Sequence, residues 1–200
     1  KVNIEIILFY SMKKTFYIGS DIGGTTFSSA LFNNGKLINR SNKELVNNFK
    51  TQTDLINALS AQILKLANQQ EIMGVGVACP GPLSAKNGII LDTPNLKILQ
   101  NCNIIKKITK ATGLPCKIEN DANLFALGEY KYLNKKTNVF IGITLGTGLG
   151  FGIIINNKLF IGGNGMAAEY GISPINDENW ESQLSIRGLN KNIKKYYNKP

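Results

Sequence analysis

Three short stretches of this chain set carboxylates beside bare main chain. Asp21 ends an apolar run and is followed by Gly23-Gly24-Thr25-Thr26. Adjacent glycines let the backbone turn tightly and come close to a ligand that a Cβ would repel, while the threonines add hydroxyl and amide donors suited to an anion such as phosphate. A carboxylate next to a phosphate is repelled unless a cation lies between them, so Asp21 is expected to hold Mg²⁺ through water. The second stretch, Gly146-Thr147-Gly148 continuing to Leu149-Gly150-Phe151-Gly152, places glycines at alternate positions, which share one face of an extended strand. That bare face is expected to receive phosphate as well; the competing reading is a hairpin that only turns or packs closely. The third stretch, Glu119-Asn120-Asp121-Ala122-Asn123, lies where a strand gives way to a helix. Asp121 is a candidate general base there, and the competing reading makes Asp121 or Asn120 the N-cap of the helix. Capping by one residue leaves the next for chemistry.

The elements that must hold these stretches follow from repetition and periodicity. Phe16-Tyr-Ile-Gly-Ser-Asp-Ile-Gly-Gly-Thr25, with Asn33-Asn-Gly-Lys-Leu37 behind it, returns as Val139-Phe-Ile-Gly-Ile-Thr-Leu-Gly-Thr147, with Asn156-Asn-Lys-Leu159 behind it. Each copy predicts an apolar strand, a glycine turn, a second strand, an Asn-rich turn and a third strand, so the chain contains a duplicated unit. Between the copies, Thr51 and Asp54 have capping-box spacing, and Leu55, Leu59, Ile63 and Leu66 fall on one face of a helix expected to run through Gln70. Ile72 to Ala78 is an apolar run ended by Cys79-Pro-Gly-Pro82, which predicts a buried strand feeding a rigid loop. A helix over Ile104–Thr112 is stopped by Gly113 and Pro115, a strand follows over Cys116–Glu119, and a helix over Ala122–Leu133 precedes the second copy. Antiparallel hairpins followed by helix-crossed strands predict a mixed α/β layer structure.

Composition narrows the class. At 200 residues and 43% hydrophobic, with no apolar run near the roughly 18 residues of a membrane span, a soluble protein with two small domains is expected. Three scattered cysteines, Cys79, Cys102 and Cys116, fit a reducing cytoplasm better than a disulfide framework. The net charge of +10 comes from lysines spread over the whole chain, with no basic stripe interleaved with aromatics, so no nucleic-acid partner and no membrane partner are expected. The lysine-rich tail, Lys191 to Lys199, is expected to be a solvated terminal helix. Residues 1–11 make a poor signal peptide and are expected to be an extension ahead of Met12.

Six segments occur in a fixed order: Asp21-Ile-Gly-Gly-Thr25, Gly74-Val-Gly-Val-Ala-Cys-Pro-Gly-Pro82, Thr93-Pro-Asn-Leu96, Glu119-Asn-Asp-Ala-Asn123, Leu145-Gly-Thr-Gly-Leu-Gly-Phe-Gly152 and Gly162-Gly-Asn-Gly-Met-Ala-Ala-Glu-Tyr-Gly171. From about Tyr17 to Leu189 the chain resembles the ROK family (repressors, open reading frames and sugar kinases) of the sugar kinase, actin and Hsp70 superfamily. The resemblance implies duplicated ribonuclease-H-like (actin-like ATPase) domains with a ligand cleft between them. The N-terminal domain would span residues 12–136, and residues 137–200 would be an incomplete second domain. It further implies transfer of a phosphoryl group from ATP, with Mg²⁺, to a hydroxyl of a hexose or N-acylhexosamine, in the manner of a glucokinase. Asp121 would be the base, and Asp21, Gly23, Gly24, Thr25, Thr26, Gly146, Thr147 and Gly148 would hold phosphates and Mg²⁺. Gly81, Asn95, Asn120, Asp121, Glu169 and Glu181 would contact the sugar.

The chain departs from the family pattern where Ile172 replaces a histidine that contacts sugar and binds zinc, and where Asn176 to Asn179 supplies no cysteines. With no histidine in the chain, no structural zinc site is expected. The resemblance also allows a homodimer, a non-catalytic or decayed sugar-binding protein, and, in third place, a sugar-responsive transcriptional repressor. The repressor requires a DNA-binding module ahead of the first glycine turn, where no such segment is expected.

Overall fold

The computed structural model describes residues 15–134 and 136–197. The expected N-terminal extension, residues 1–11, lies outside them. Strand β1 (Phe16–Ile22) and strand β2 (Thr26–Asn33) form the first hairpin, β3 (Lys36–Arg40) continues it, and β4 (Glu44–Leu45) pairs with the start of β2. Helix α1 (Gln52–Ala67) then crosses to β5 (Ile72–Cys79), which lies parallel to β1. A small antiparallel sheet of β6 (Leu83–Ser84), β7 (Ile89–Ile90) and β8 (Cys102–Asn103) leads to helix α2 (Ile104–Thr112) and to β9 (Cys116–Asn120), parallel to β5. The main sheet therefore runs β3-β2-β1-β5-β9. Helix α3 (Asp121–Tyr132) connects it to the second hairpin, β10 (Val139–Leu145) and β11 (Leu149–Ile155), with β12 (Lys158–Leu159) beyond. The chain continues through a short β13 (Pro174–Ile175) and β14 (Glu178–Asn179) hairpin into α4 (Trp180–Leu184) and α5 (Ile186–Tyr197).

The first sheet has its core where α1 lies on β1 and β2: Ile18, Ile22, Phe27, Leu55, Leu59 and Ile63 are all buried together. Each such side chain contributes about 1.5–3 kcal/mol by leaving water. Thr51 caps α1, its hydroxyl oxygen accepting from the Asp54 amide at 3.1 Å while the hydroxyl donates to Asp54 Oδ2 at 2.7 Å. The helix ends at Ala67 rather than at Gln70, because Asn68 adopts the left-handed conformation (φ 34°), which Asn tolerates, and donates its amide to Leu64 O.

The repeat is structural. Both Asn-rich turns use two consecutive left-handed residues, Asn34 (φ 49°) with Gly35 (φ 77°) and Asn156 (φ 49°) with Asn157 (φ 63°), the geometry that matches hairpin twist. Ile22 pairs with Phe27 in the first copy and Leu145 with Leu149 in the second, so the second glycine turn is one residue shorter.

The alternating glycines of the second copy have a purpose different from the expected phosphate face. A Cβ on Gly142 would lie 2.7 Å from Ala126 Cβ, one on Gly150 2.7 Å from Ala122 Cβ, and one on Gly152 2.6 Å from the Ala122 carbonyl oxygen. The bare face receives helix α3, not a ligand, and α3 presents alanines to it. Only the turn itself, Gly146 to Gly148, is left for an anion.

Gly152→Ala should therefore destabilise the protein by about 1–3 kcal/mol, the usual cost of overpacking. Gly76→Ala, whose Cβ would meet nothing within 4 Å, should change stability by less than about 0.5 kcal/mol. Urea denaturation followed by circular dichroism gives both values.

Candidate functional site

Parallel strands bring the chemistry to one edge. Asp21 on β1 is in register with Ala78 on β5, and Cys79 on β5 with Asn120 on β9, so the C-terminal ends of three strands open side by side at the start of α3. This is where ligands sit in open α/β sheets.

The capping question is settled by geometry. Asn120 is the N-cap of α3: its Oδ1 accepts from the Asn123 amide at 3.1 Å. Glu119 Oε1 accepts from the Asn120 amide at 2.9 Å and from Asn123 Nδ2 at 3.1 Å, which fixes the whole turn. Asp121 follows at the first helical position, where its Oδ1 accepts the neighbouring Ala122 amide at 2.8 Å and its own amide adds a second main-chain donor. Its carboxylate is thus free of the cap and stands at the mouth of the crevice.

Because Asn120 Oδ1 faces the helix, its amide nitrogen faces the other way, toward Gly81. A Cβ on Gly81 would lie 3.3 Å from Asn120 Nδ2 and 3.4 Å from Glu169 Oε1. A donor and an acceptor therefore converge on an α-carbon without a side chain, which is the arrangement that pairs with a hydroxyl group. Asn95 is exposed, and its carbonyl oxygen would lie 2.4 Å from a Cβ on Gly24. The close approach that requires glycine at position 24 is made by this chain's own backbone rather than by a ligand.

Glu181 sits on the second glycine turn. Its Oε2 accepts from the Leu149 amide at 3.0 Å and lies 2.6 Å from where a Gly148 Cβ would be. Asn179 caps α4 and so aims Glu181, the second residue of that helix, at the turn. The Ile186 amide donates to Gly146 O at 2.9 Å, so α4 and α5 together brace the loop.

The turns suit an anion. Gly23 donates to Thr26 O and Gly146 to Gly148 O, both at 2.9 Å, which closes each turn. The amides of Gly24, Thr25, Thr147 and Gly148 donate to no other group among the described residues. Nothing lies within 4 Å of a Cβ placed on Gly146. Unpaired, outward amides on bare backbone make a nest for phosphate oxygens.

The electrostatics are those of gathered carboxylates. Burial raises the Asp121 pKa above the ordinary aspartate range, and the charge of Asp21 raises it further, against the lowering pull of the Ala122 amide. Burial also raises Asp21, partly countered by Lys43. Glu169 is raised by burial and then by Asp121 and Glu181. Cys79, fully buried beneath them, is held as a neutral thiol by burial and by both aspartates, so it fills space and does no chemistry. Among the described residues no group of three or more His, Cys, Asp or Glu is placed to hold a metal ion. A cation at Asp21 would take its remaining ligands from water and phosphate, as Mg²⁺ commonly does.

Asp21, Asn120, Asp121, Glu169 and Gly81 thus meet at one crevice, with Glu181 across it on the second turn. Sequence reasoning missed Glu119, Lys43 and Cys79. The first lies inside a recognised segment, but its bonds to position 123 appear only when strand turns into helix; the other two reach the site through the fold, and no spacing marks them.

The sequence matches the ROK family over residues 17–187. It is 36% identical over 163 residues to a glucokinase of Thermotoga maritima, covering 80% of this chain and 51% of that protein. It is 33% identical over 162 residues to an N-acetyl-D-glucosamine kinase of Histophilus somni, covering 80% of this chain and 52% of that one. The fold superposes on a ROK glucokinase of Streptomyces griseus in complex with glucose and AMPPNP with a TM-score of 0.79 at 31% identity, covering 92% of this chain and 61% of that structure. The chain spans about half the length of the curated relatives it matches.

The raised carboxyls set a pH dependence. Asp121 has a folded pKa above its unfolded value, so its contribution to stability is fully present below about pH 4 and is lost as pH rises through the folded value. Asp121→Asn, which cannot ionise, should be as stable as the parent near pH 4 and more stable near pH 7. Thermal denaturation of both proteins across that range checks the widening gap.

Proposed function

The chain belongs to the ROK family, and on that premise we propose that it transfers a phosphoryl group from ATP to a hydroxyl of a hexose or N-acylhexosamine, with Asp121 as general base. The observation that carries this reading is the release of Asp121 from capping by Asn120. That leaves a carboxylate with a raised pKa free for chemistry at the strand end that also carries Asn120, whose amide nitrogen faces Gly81.

In this reading Asn120 and Glu169 bind adjacent sugar hydroxyls over Gly81, Asn95 closes the near wall, and the remaining oxygen of Glu181 reaches the sugar from the second half. Asp121 takes the proton of the attacking hydroxyl as its oxygen bonds to phosphorus and the bond to the leaving ADP breaks. A raised pKa makes the Asp121 carboxylate a stronger proton acceptor. Bound ATP supplies the phosphoryl group, and Mg²⁺ neutralises its charge. The open amides of Gly24, Thr25, Thr147 and Gly148 and the hydroxyls of Thr25, Thr26 and Thr147 would orient the phosphates, the bare α-carbons of Gly23 and Gly146 would let them approach, and Asp21 would hold Mg²⁺ through water. Phosphoryl transfer needs chiefly such positioning and charge neutralisation. The division into a domain of residues 12–136 and a partial one of residues 137–200 belongs to the same reading, supported by the repeated hairpins.

ADP release, measured with Mg-ATP over a panel of hexoses and N-acylhexosamines, is the direct test. Turnover is expected with a glucose-like sugar, and binding of that sugar without ADP release would support the non-catalytic reading instead. Asp121→Asn should lower kcat by about 10²-fold or more, the usual contribution of a general base, with sugar KM nearly unchanged. Gly81→Ala should do the reverse, raising sugar KM while sparing kcat, because its methyl group enters the space between Asn120 and Glu169.

A further inference from the structure

A third strand runs alongside the first glycine turn, and it brings a cation. On β1 and β2, Ile18, Ser20, Ile22, Phe27 and Ser29 are buried toward α1, so Asp21 and Ser28, directly opposite each other in the pairing register, share the other face. Strand β4 pairs antiparallel with the start of β2, Leu45 opposite Thr26 and Glu44 opposite Phe27, and the Val46 amide donates to Thr25 O at 2.9 Å. One residue further in the same register, Lys43 comes opposite Ser28. Asp21, Ser28 and Lys43 thus form a row across three strands, about 10 Å from the first backbone to the last. The alternation is locked from the α1 side, where Glu44 Oε1 accepts from Nε2 of buried Gln62 at 2.6 Å and Gln62 Oε1 accepts from the Ser41 hydroxyl at 2.8 Å. Holding Glu44 toward α1 leaves its neighbour Lys43 on the face of Asp21. Burial raises the Asp21 pKa and the Lys43 charge pulls it back, so the two groups feel each other. Lys43 itself is exposed and forms no ion pair among the described residues.

A lysine without an ion pair, set beside a turn whose Gly24 and Thr25 amides are open, has the setting of a phosphate ligand. We propose that Lys43 is a phosphate-binding residue of the first glycine turn, its ammonium pairing with an oxygen of the polyphosphate that the turn's amides cradle. The inference deepens the proposed function and rests on its reading of that turn as an anion site. Asp21 and Lys43 then divide the ligand by sign, the divalent cation beside the carboxylate and an anionic oxygen beside the ammonium, so that neither charge of the row is left uncompensated. The Gln62 bonds fix the backbone from which Lys43 springs, and its flexible stem lets the ammonium follow the phosphate. The same bonds keep the Glu44 carboxylate, one residue away, from facing the anion.

Isothermal titration of the full chain with inorganic tripolyphosphate, and separately with Mg-ADP, tests the assignment. Lys43→Gln should weaken both by about tenfold or more, the usual strength of a charge-assisted hydrogen bond, and Lys43→Arg should restore most of the affinity. Lys65→Gln removes the same charge from the last turn of α1, beside Phe16 at the far end of β1, and at ordinary ionic strength should change the affinity by less than about twofold. Failure of the parent to bind tripolyphosphate, equal affinities of the parent and Lys43→Gln, a loss that arginine does not restore, or an equal loss in Lys65→Gln would each overturn the proposal. The readout is anion binding and not turnover. Tripolyphosphate binding that depends on Lys43 in a protein without ADP release would keep this inference and remove the kinase reading, whereas turnover with an unchanged Mg-ATP KM in Lys43→Gln would do the reverse.

Discussion

The seating of α3 on the glycine face of β10 and β11 is the contact on which the rest of the structure depends. Ala122 and Ala126 approach Gly142, Gly150 and Gly152 so closely that no side chain fits between them. That approach draws the second hairpin against the end of the first sheet, because α3 begins where β9 ends. Asp121, the first residue of the helix, is carried to the crevice by the same contact. A wider separation would move the Gly146 turn away from Asp121 and part the two glycine turns. Small residues on both partners are thus the means by which a carboxylate from one half reaches the turn of the other.

That geometry creates an electrostatic problem which substrates would relieve. Desolvation raises all three of Asp21, Asp121 and Glu169; the charge of Asp21 adds to the rise at Asp121, those of Asp121 and Glu181 add to it at Glu169, and Lys43 offers the only counter-charge that tells on Asp21 among the described residues. The crevice is therefore acidic within a chain of net charge +10. Unpaired amides on both turns supply the opposite polarity a short distance away. Such a site fits a ligand pair of opposite signs, a divalent cation with a polyphosphate, better than either alone, because each cancels the repulsion that the other would meet.

Much of this was legible in the sequence, for definable reasons. The helices at 52–67 and 104–112 announced themselves through caps and apolar spacing, and the duplicated hairpins through repeated strands and Asn turns. Residue types at strand ends pointed to Asp21, Asn120 and Asp121 as neighbours. What differs is the meaning of some glycines. Absence of a Cβ tells that something comes close but not what: the Gly150-Gly152 face reads as a ligand face when a helix occupies it, and the bare α-carbon of Gly24 makes room for the Asn95 carbonyl while its amide stays open. Capping was ambiguous for a similar reason, since Asn120 and Asp121 are both good caps and only the direction of the chain at Asn120 decides between them.

Duplication also explains an asymmetry that a single glycine turn would not show. The register sets Asp21 opposite Ser28 in the first hairpin, and its counterpart in the second is Thr144, opposite Gly150. One copy has a carboxylate beside its turn and the other a hydroxyl. Two identical cradles would hold a chain of phosphates in either direction. With a carboxylate on one side only, a cation is favoured at the first turn, and the polyphosphate gains a preferred direction relative to Asp121. Glu181 sharpens the difference by placing its charge on the second turn, where it accepts the Leu149 amide and so competes with phosphate for that side. On the proposed phosphotransfer reading, the direction in which a phosphoryl group would face Asp121 thus follows from how far the two copies have diverged, while the common hairpin supplies only the cradle.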